Sequence, residues 1–134
     1  MSECWDTPII SIGVGIQVGS RDETRLTSGV AHFMEHLNFK GTNKRTRLQI
    51  ETSIENIGAH LNAFTSREFT IFHMLTTQQN LEFAMDLLGD IVLNSKYEEF
   101  ALNNEKATII SELESTGKDD FEVLMENVNF GVFY

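Results

Sequence analysis

His32-Phe33-Met34-Glu35-His36 brings two imidazoles and one carboxylate into five consecutive residues. The surrounding segment, 29–38, reads as a helix with Thr27 or Ser28 as its cap. Phe39-Lys40-Gly41-Thr42-Asn43-Lys44 then breaks it. At i and i+4 the two histidines stand one turn apart on the same helix face, so both reach a single ion. Glu35, beside His36, projects close enough to touch a water on that ion without ligating it. The order is H-x-x-E-H, the inverse of the commoner H-E-x-x-H zinc signature. Catalytic zinc normally takes three protein ligands plus water. The pentapeptide therefore leaves one ligand to be found elsewhere in the chain.

Upstream of the motif, Ile10, Ile12, Val14, Ile16 and Val18 recur with period two, which predicts a strand over 9–18. Gly13, Gly15 and Gly19 do not fit G-x-G-x-x-G, and no helix opens directly after them, so they serve close strand packing rather than a phosphate loop. Gly19-Ser20-Arg21-Asp22-Glu23 is a polar turn. Downstream, the basic run 40–47 reads as a solvated loop. Leu48, Ile50, Ile54 and Ile57 give the stripe of a helix over 48–57, ended by Gly58 at a left-handed cap. Strands over 60–65 and 69–76 flank the turn Ser66-Arg67-Glu68 and form a hairpin. Asn80 caps a helix over 81–93 that turns Leu81, Ala84, Met85, Leu88, Ile91 and Val92 inward. Together these elements predict an α+β fold, a sheet with helices packed on it.

The last third is helical and acidic, with helices expected over 100–114 and 119–130. Glu105 and Glu112 are seven residues apart, two turns along one face. Glu122 and Glu126 are four apart, a like-charge pair that is mildly destabilising alone. Such a pair is either an acceptor for a guanidinium or an ordinary acidic surface.

At 134 residues and 41% hydrophobic content the chain is one domain's worth and buries a real core. No run of about 18 apolar residues occurs, so nothing reads as a membrane span. The first six residues carry neither a basic nor an apolar leader region, so no targeting peptide is expected in the chain as given. The lone cysteine, Cys4, excludes an internal disulfide framework and leaves a metal to His and carboxylate. A net charge of −10 argues against a nucleic-acid surface and for a cationic partner, with acidic solubility as the plainer alternative.

Three blocks in order carry a resemblance. His32-Phe33-Met34-Glu35-His36-Leu37-Asn38-Phe39-Lys40-Gly41-Thr42 resembles the active-site segment of the pitrilysin/insulinase-type (inverzincin) zinc metallopeptidases, above all their processing-peptidase branch. Gly58-Ala59-His60-Leu61-Asn62-Ala63-Phe64-Thr65-Ser66-Arg67-Glu68 is similar to the next signature of that branch. So is Glu105-Lys106-Ala107-Thr108-Ile109-Ile110-Ser111-Glu112. The likeness runs from about Thr7 to Tyr134.

The resemblance implies the missing ligand. The third zinc ligand of the family falls on Glu112, 76 residues past His36. The implied site is Zn2+ held by His32, His36 and Glu112, with the fourth position left for a water that attacks the peptide carbonyl. Glu35 is implied as the catalytic base, and Glu105 as a carboxylate behind the ligands that orients one of them or the water. A purely structural zinc is disfavoured because Glu35 has no ligand duty. Asn62, Ala63 and Phe64 are implied as substrate-binding. There an extended peptide adds to the strand, Asn62 grips its main chain, and Phe64 lines the pocket after the scissile bond. Glu122 and Glu126 fall where the branch recognises an arginine before the cut; the second acid is usually aspartate, so Glu126 departs from the pattern with a longer arm.

The same resemblance implies a zinc metalloendopeptidase that removes Arg-rich presequences from imported mitochondrial precursors, at the matrix or the matrix face of the inner membrane. It implies a partner subunit of the processing-peptidase α type in a heterodimer. Alternatives within the fold are a core structural subunit of respiratory complex III and another organellar or bacterial processing protease. It further implies that residues 1–134 are the N-terminal part of one domain of a longer chain, a partial copy of the LuxS/processing-peptidase-like half. The family's second half, with its Arg/Tyr pair, has no counterpart here, and alone the fragment is expected to bind zinc poorly and cleave feebly.

Overall fold

Alternating Ile10, Ile12, Val14 and Ile16 with smaller or polar residues builds strand β1 (Ile9–Ile16). Its alternate residues are half-buried, as a strand with one covered face requires. Helices α1 (Val30–Asn38) and α2 (Arg47–Asn56) follow, then strands β2 (His60–Thr65) and β3 (Thr70–Thr77), and helix α3 (Leu81–Asn94). The computed structural model describes residues 7–116 of the chain. By backbone contacts the chain divides into two units, Met1–Glu98 and Glu99–Tyr134.

In the first unit the three strands form one antiparallel sheet in the order β1-β3-β2. Antiparallel partners share a face. Ile12 opposite Met74 opposite Leu61, and Val14 opposite Phe72 opposite Ala63, therefore make one continuous apolar surface. Phe72 and Met74 on the central strand are fully buried against Ile50 of α2 and Ala84, Leu87, Leu88 and Ile91 of α3. Phe39, just past α1, stacks at a tilt on Phe72 with ring centroids 5.9 Å apart. The opposite face leaves Leu75, Phe64 and Ile9 substantially exposed.

The α+β architecture matches the expectation, as do both strands of the hairpin and the left-handed Gly58 (φ +61). Several details differ. β1 stops at Ile16, two residues short, because the chain turns away and Val18 is exposed. Thr46 caps α2 reciprocally: it accepts from Gln49 N–H while the Gln49 side chain accepts from Thr46 N–H. α2 exposes Leu48 and buries Ile50. Asn80 does not cap α3 with its side chain; its amide donates back to Thr76 and Thr77. On α3, Met85 faces out and Leu81 is partly exposed, while Leu87 takes the buried place. The basic run is also no plain solvated loop. Arg45 is only 20% exposed and reaches Asp90, whose side chain is fully buried.

In the second unit, helix α4 (Glu99–Thr116) covers the expected 100–114 and extends slightly past both ends. The expected helix over 119–130, with Glu122 and Glu126, lies outside the described residues, as does Cys4. Among the described residues no helix is long and apolar enough to cross a membrane.

Candidate active site

α1 presents both histidines as their spacing requires. The Nε2 atoms of His32 and His36 stand 3.1 Å apart, with the rings edge to face at 87° and centroids 4.6 Å apart. Zinc–nitrogen bonds of about 2.0–2.1 Å in a tetrahedron put two ligand nitrogens roughly 3.3 Å from each other. The observed separation is within a few tenths of an ångström of that spacing, so the two imidazoles fit one zinc ion without a change of backbone. Neutral imidazole and carboxylate are also the donors such an ion takes in catalytic sites.

Glu35 leaves the helix beside this pair and is not loose. Its Oε2 accepts from Thr65 Oγ1 at 2.5 Å, a contact joining α1 to the end of β2. Motif reading passes over Thr65. The signal that could find it is parity: Thr65 shares the inward face of β2 with Leu61 and Ala63.

The two ends of α1 are fixed by different chemistry. Contrary to the expectation from sequence, neither Thr27 nor Ser28 caps the helix. The N-cap is Gly29, at φ +86, which has no side chain to offer. The carboxylate of Glu23 takes that role from outside the helix, accepting from Gly29 N–H and Ala31 N–H at 2.7 Å each. Thr27 instead bonds back to Thr24. At the C-terminal end Leu37 and Asn38 are buried. The Asn38 carbonyl accepts from Ser95 Oγ, and its side-chain oxygen accepts from Tyr97 OH, both at 3.0 Å. Burial pushes the Tyr97 phenol above its ordinary value, so it remains a donor at neutral pH.

The loop after α1 is pinned from below by Asp90 of α3. Asp90 accepts from Thr42 Oγ1 at 2.6 Å, from Arg45 Nη1 at 2.7 Å and from Asn94 Nδ2 at 3.1 Å. Burial opposes its charge, yet these three donors outweigh burial and hold the carboxyl below the usual carboxylate range. Arg45 also pairs with Asp86, whose hydrogen bond, the largest influence on it, raises the guanidinium further.

Of the residues expected to meet substrate, Asn62 and Phe64 point from the exposed face of β2, whereas Ala63 packs inward on the core. Asn62 Oδ1 accepts from Ala63 N–H at 2.9 Å. That amide therefore points away from β3, to the edge of β2 that no other described strand covers. Beside this edge opens a cavity of about 280 Å³ lined by Phe39, Ile50, Ile54 and Leu61, with Glu51 and Glu55 among its walls. Glu105 and Glu112 both lie on α4, the former buried and the latter exposed. Glu122 and Glu126 fall outside the described residues.

The sequence profile described as Insulinase (Peptidase family M16) matches residues 3–132. The mitochondrial ubiquinol-cytochrome-c reductase complex core protein I of Euglena gracilis is 46% identical over 132 residues, 98% of this chain and 27% of that protein. The mitochondrial-processing peptidase subunit beta of Neurospora crassa is 46% identical over 119 residues, 89% of this chain and 25% of its own length. Among solved structures, a protease from Helicobacter pylori superposes with a TM-score of 0.76 at 30% identity, covering 80% of this chain and 26% of that one. The chain thus spans about a quarter of the length of the curated relatives it matches.

Proposed function

The chain belongs to the insulinase family, peptidase family M16, and from that premise we propose that it is the zinc-binding part of a metalloendopeptidase. Its substrates are the basic N-terminal presequences of precursor proteins imported into mitochondria. One observation carries the reading: the His32 and His36 ring nitrogens converge at 3.1 Å while Glu35, between them in sequence, accepts a hydrogen bond from Thr65.

His32 and His36 would each give a ring nitrogen to zinc, and Glu112 a carboxylate oxygen. When bound, the ion supplies Lewis acidity, polarising the scissile carbonyl and acidifying a water. Glu35 would accept the proton of that water and later return it to the leaving amine. Thr65 donates to one Glu35 oxygen and so leaves the other for this proton. Glu105 would orient a ligand or the water from behind.

Substrate binding follows from β2. Its edge, which no other described strand covers, offers the backbone groups an extended peptide needs to add as a strand. Asn62, which covers the Ala63 amide in the free protein, would exchange that bond for one to the substrate main chain, and Phe64 would line the pocket after the cut. Glu122 and Glu126 would recognise an arginine before it. The −10 charge of the chain suits such basic peptides.

In this reading residues 1–134 are the N-terminal part of one domain of a longer protein. It works at the matrix or the matrix face of the inner membrane, paired with a subunit of the processing-peptidase α type. A second reading, a core subunit of respiratory complex III, is favoured by the 46% identity to the Euglena gracilis core protein I. The two are compatible, and co-purification with cytochromes would mark the second.

The test is Glu35→Gln in the full-length protein with its partner subunit. Zinc content should stay at the wild-type level while presequence cleavage falls by at least about a hundredfold. Cleavage at the wild-type rate would refute the role given to Glu35.

A further inference from the structure

The contact that starts α1 takes no part in the chemistry proposed at the zinc site. The first turn of a helix leaves backbone N–H groups without partners, and a side chain at the N-cap ordinarily takes one of them. Here the N-cap is Gly29 in the left-handed region, so no side chain is available. Glu23, six residues upstream, fills the gap with both carboxylate oxygens, at 2.7 Å from Gly29 N–H and 2.7 Å from Ala31 N–H. Ala31 directly precedes His32. A full negative charge thus rests on the positive end of the helix that carries both histidines.

Glu23 is itself braced. It follows the 3-10 turn Ser20–Asp22, whose Ser20 and Arg21 amides donate to the Ser66 and Arg67 carbonyls at 3.2 and 2.9 Å. Arg21 also pairs with Glu68. The approach is close: a Cβ on Gly19 would stand 2.3 Å from the Ser66 carbonyl oxygen. Ser66 immediately follows Thr65, which holds Glu35. The end of β2 and the turn after it therefore meet the start of α1 by way of Glu23 and the middle of α1 by way of Thr65.

We infer that Glu23 is a positioning residue for the metal helix, acting through its two bonds to the backbone before His32 to hold both imidazoles in register with β2 and Glu35. The inference rests on the zinc reading proposed above. Glu23 touches neither metal nor substrate; its removal lets the first turn fray and the His32 ring wander from His36.

The experiment follows zinc transfer from the zinc-loaded full-length protein to a colorimetric chelator, together with kcat and KM. Glu23→Ala should release zinc about tenfold faster and lose a similar factor in kcat with KM little changed, the scale of a lost helix cap. Glu23→Gln, which keeps one acceptor but loses the charge, should fall between. Ile12→Val, a small core truncation in β1, serves as a control that lowers stability away from the cavity and should release zinc like the wild type. Wild-type release by a folded Glu23→Ala variant would overturn the inference. So would equal acceleration in Ile12→Val, which would make zinc release a mere consequence of stability. A wild-type protein that binds no zinc would instead overturn the zinc reading itself, and this inference with it.

Discussion

Thr65 and Glu35, 30 positions apart, meet through a hydrogen bond that, in the proposed mechanism, leaves the other carboxylate oxygen for the proton. A hydrogen bond to a charged group contributes on the order of 1.5–3 kcal/mol, which is about tenfold or more in any step that depends on it. Thr65→Val should therefore lower kcat by about tenfold or more at unchanged zinc content, with Thr65→Ser retaining most of the rate; steady-state kinetics beside metal analysis decides it. The histidine pair and Glu35 are legible in sequence because helix geometry alone fixes the relation between i and i+4. Thr65 and Glu23 are not, because their partners are set by how a strand and a loop pack on that helix. Glu23 is hidden further by the plausible caps Thr27 and Ser28, which local preference favours and the left-handed Gly29 displaces.

Among the elements, α1 and the loop after it depend on α3 as much as on their own sequence. The fully buried Asp90 takes three hydrogen bonds, two of them from the loop residues Thr42 and Arg45. Asp90→Asn should cost about 2–3 kcal/mol in chemical denaturation at neutral pH, since it weakens charge-assisted bonds in a buried place. The pH dependence has a definite sign. The folded carboxyl ionises below its ordinary value, so its contribution is fully present above the unfolded value of about 4 and is lost as pH falls through the lower, folded value. The stability gap between wild type and Asp90→Asn should hold steady from about pH 5 to 8 and narrow below about pH 4. Periodicity finds the strands and helices because each buries one face. It misreads the run 40–47, since charge in sequence does not reveal that a buried carboxylate 45 residues on awaits Arg45. It also misassigns Met85 and Leu48, whose helices meet the sheet over a narrower face than their apolar residues span.

As a whole molecule, the chain belongs to the M16 family, has an α+β fold and covers about a quarter of its relatives' length. The fold class is legible from alternation and helical stripes. The proposed third ligand is not, because no local pattern singles out one glutamate among the acids of the last third, and within the sequence only the resemblance points to Glu112. That residue is accordingly where the zinc reading is most exposed. The most direct measurement is bound zinc per chain in the purified full-length protein, wild type against Glu112→Gln, after dialysis against a weak chelator. The expected result is about one zinc in the wild type and little in the variant, as for a site reduced from three protein ligands to two. Zinc retained at the wild-type level in a folded Glu112→Gln protein would contradict the proposed site.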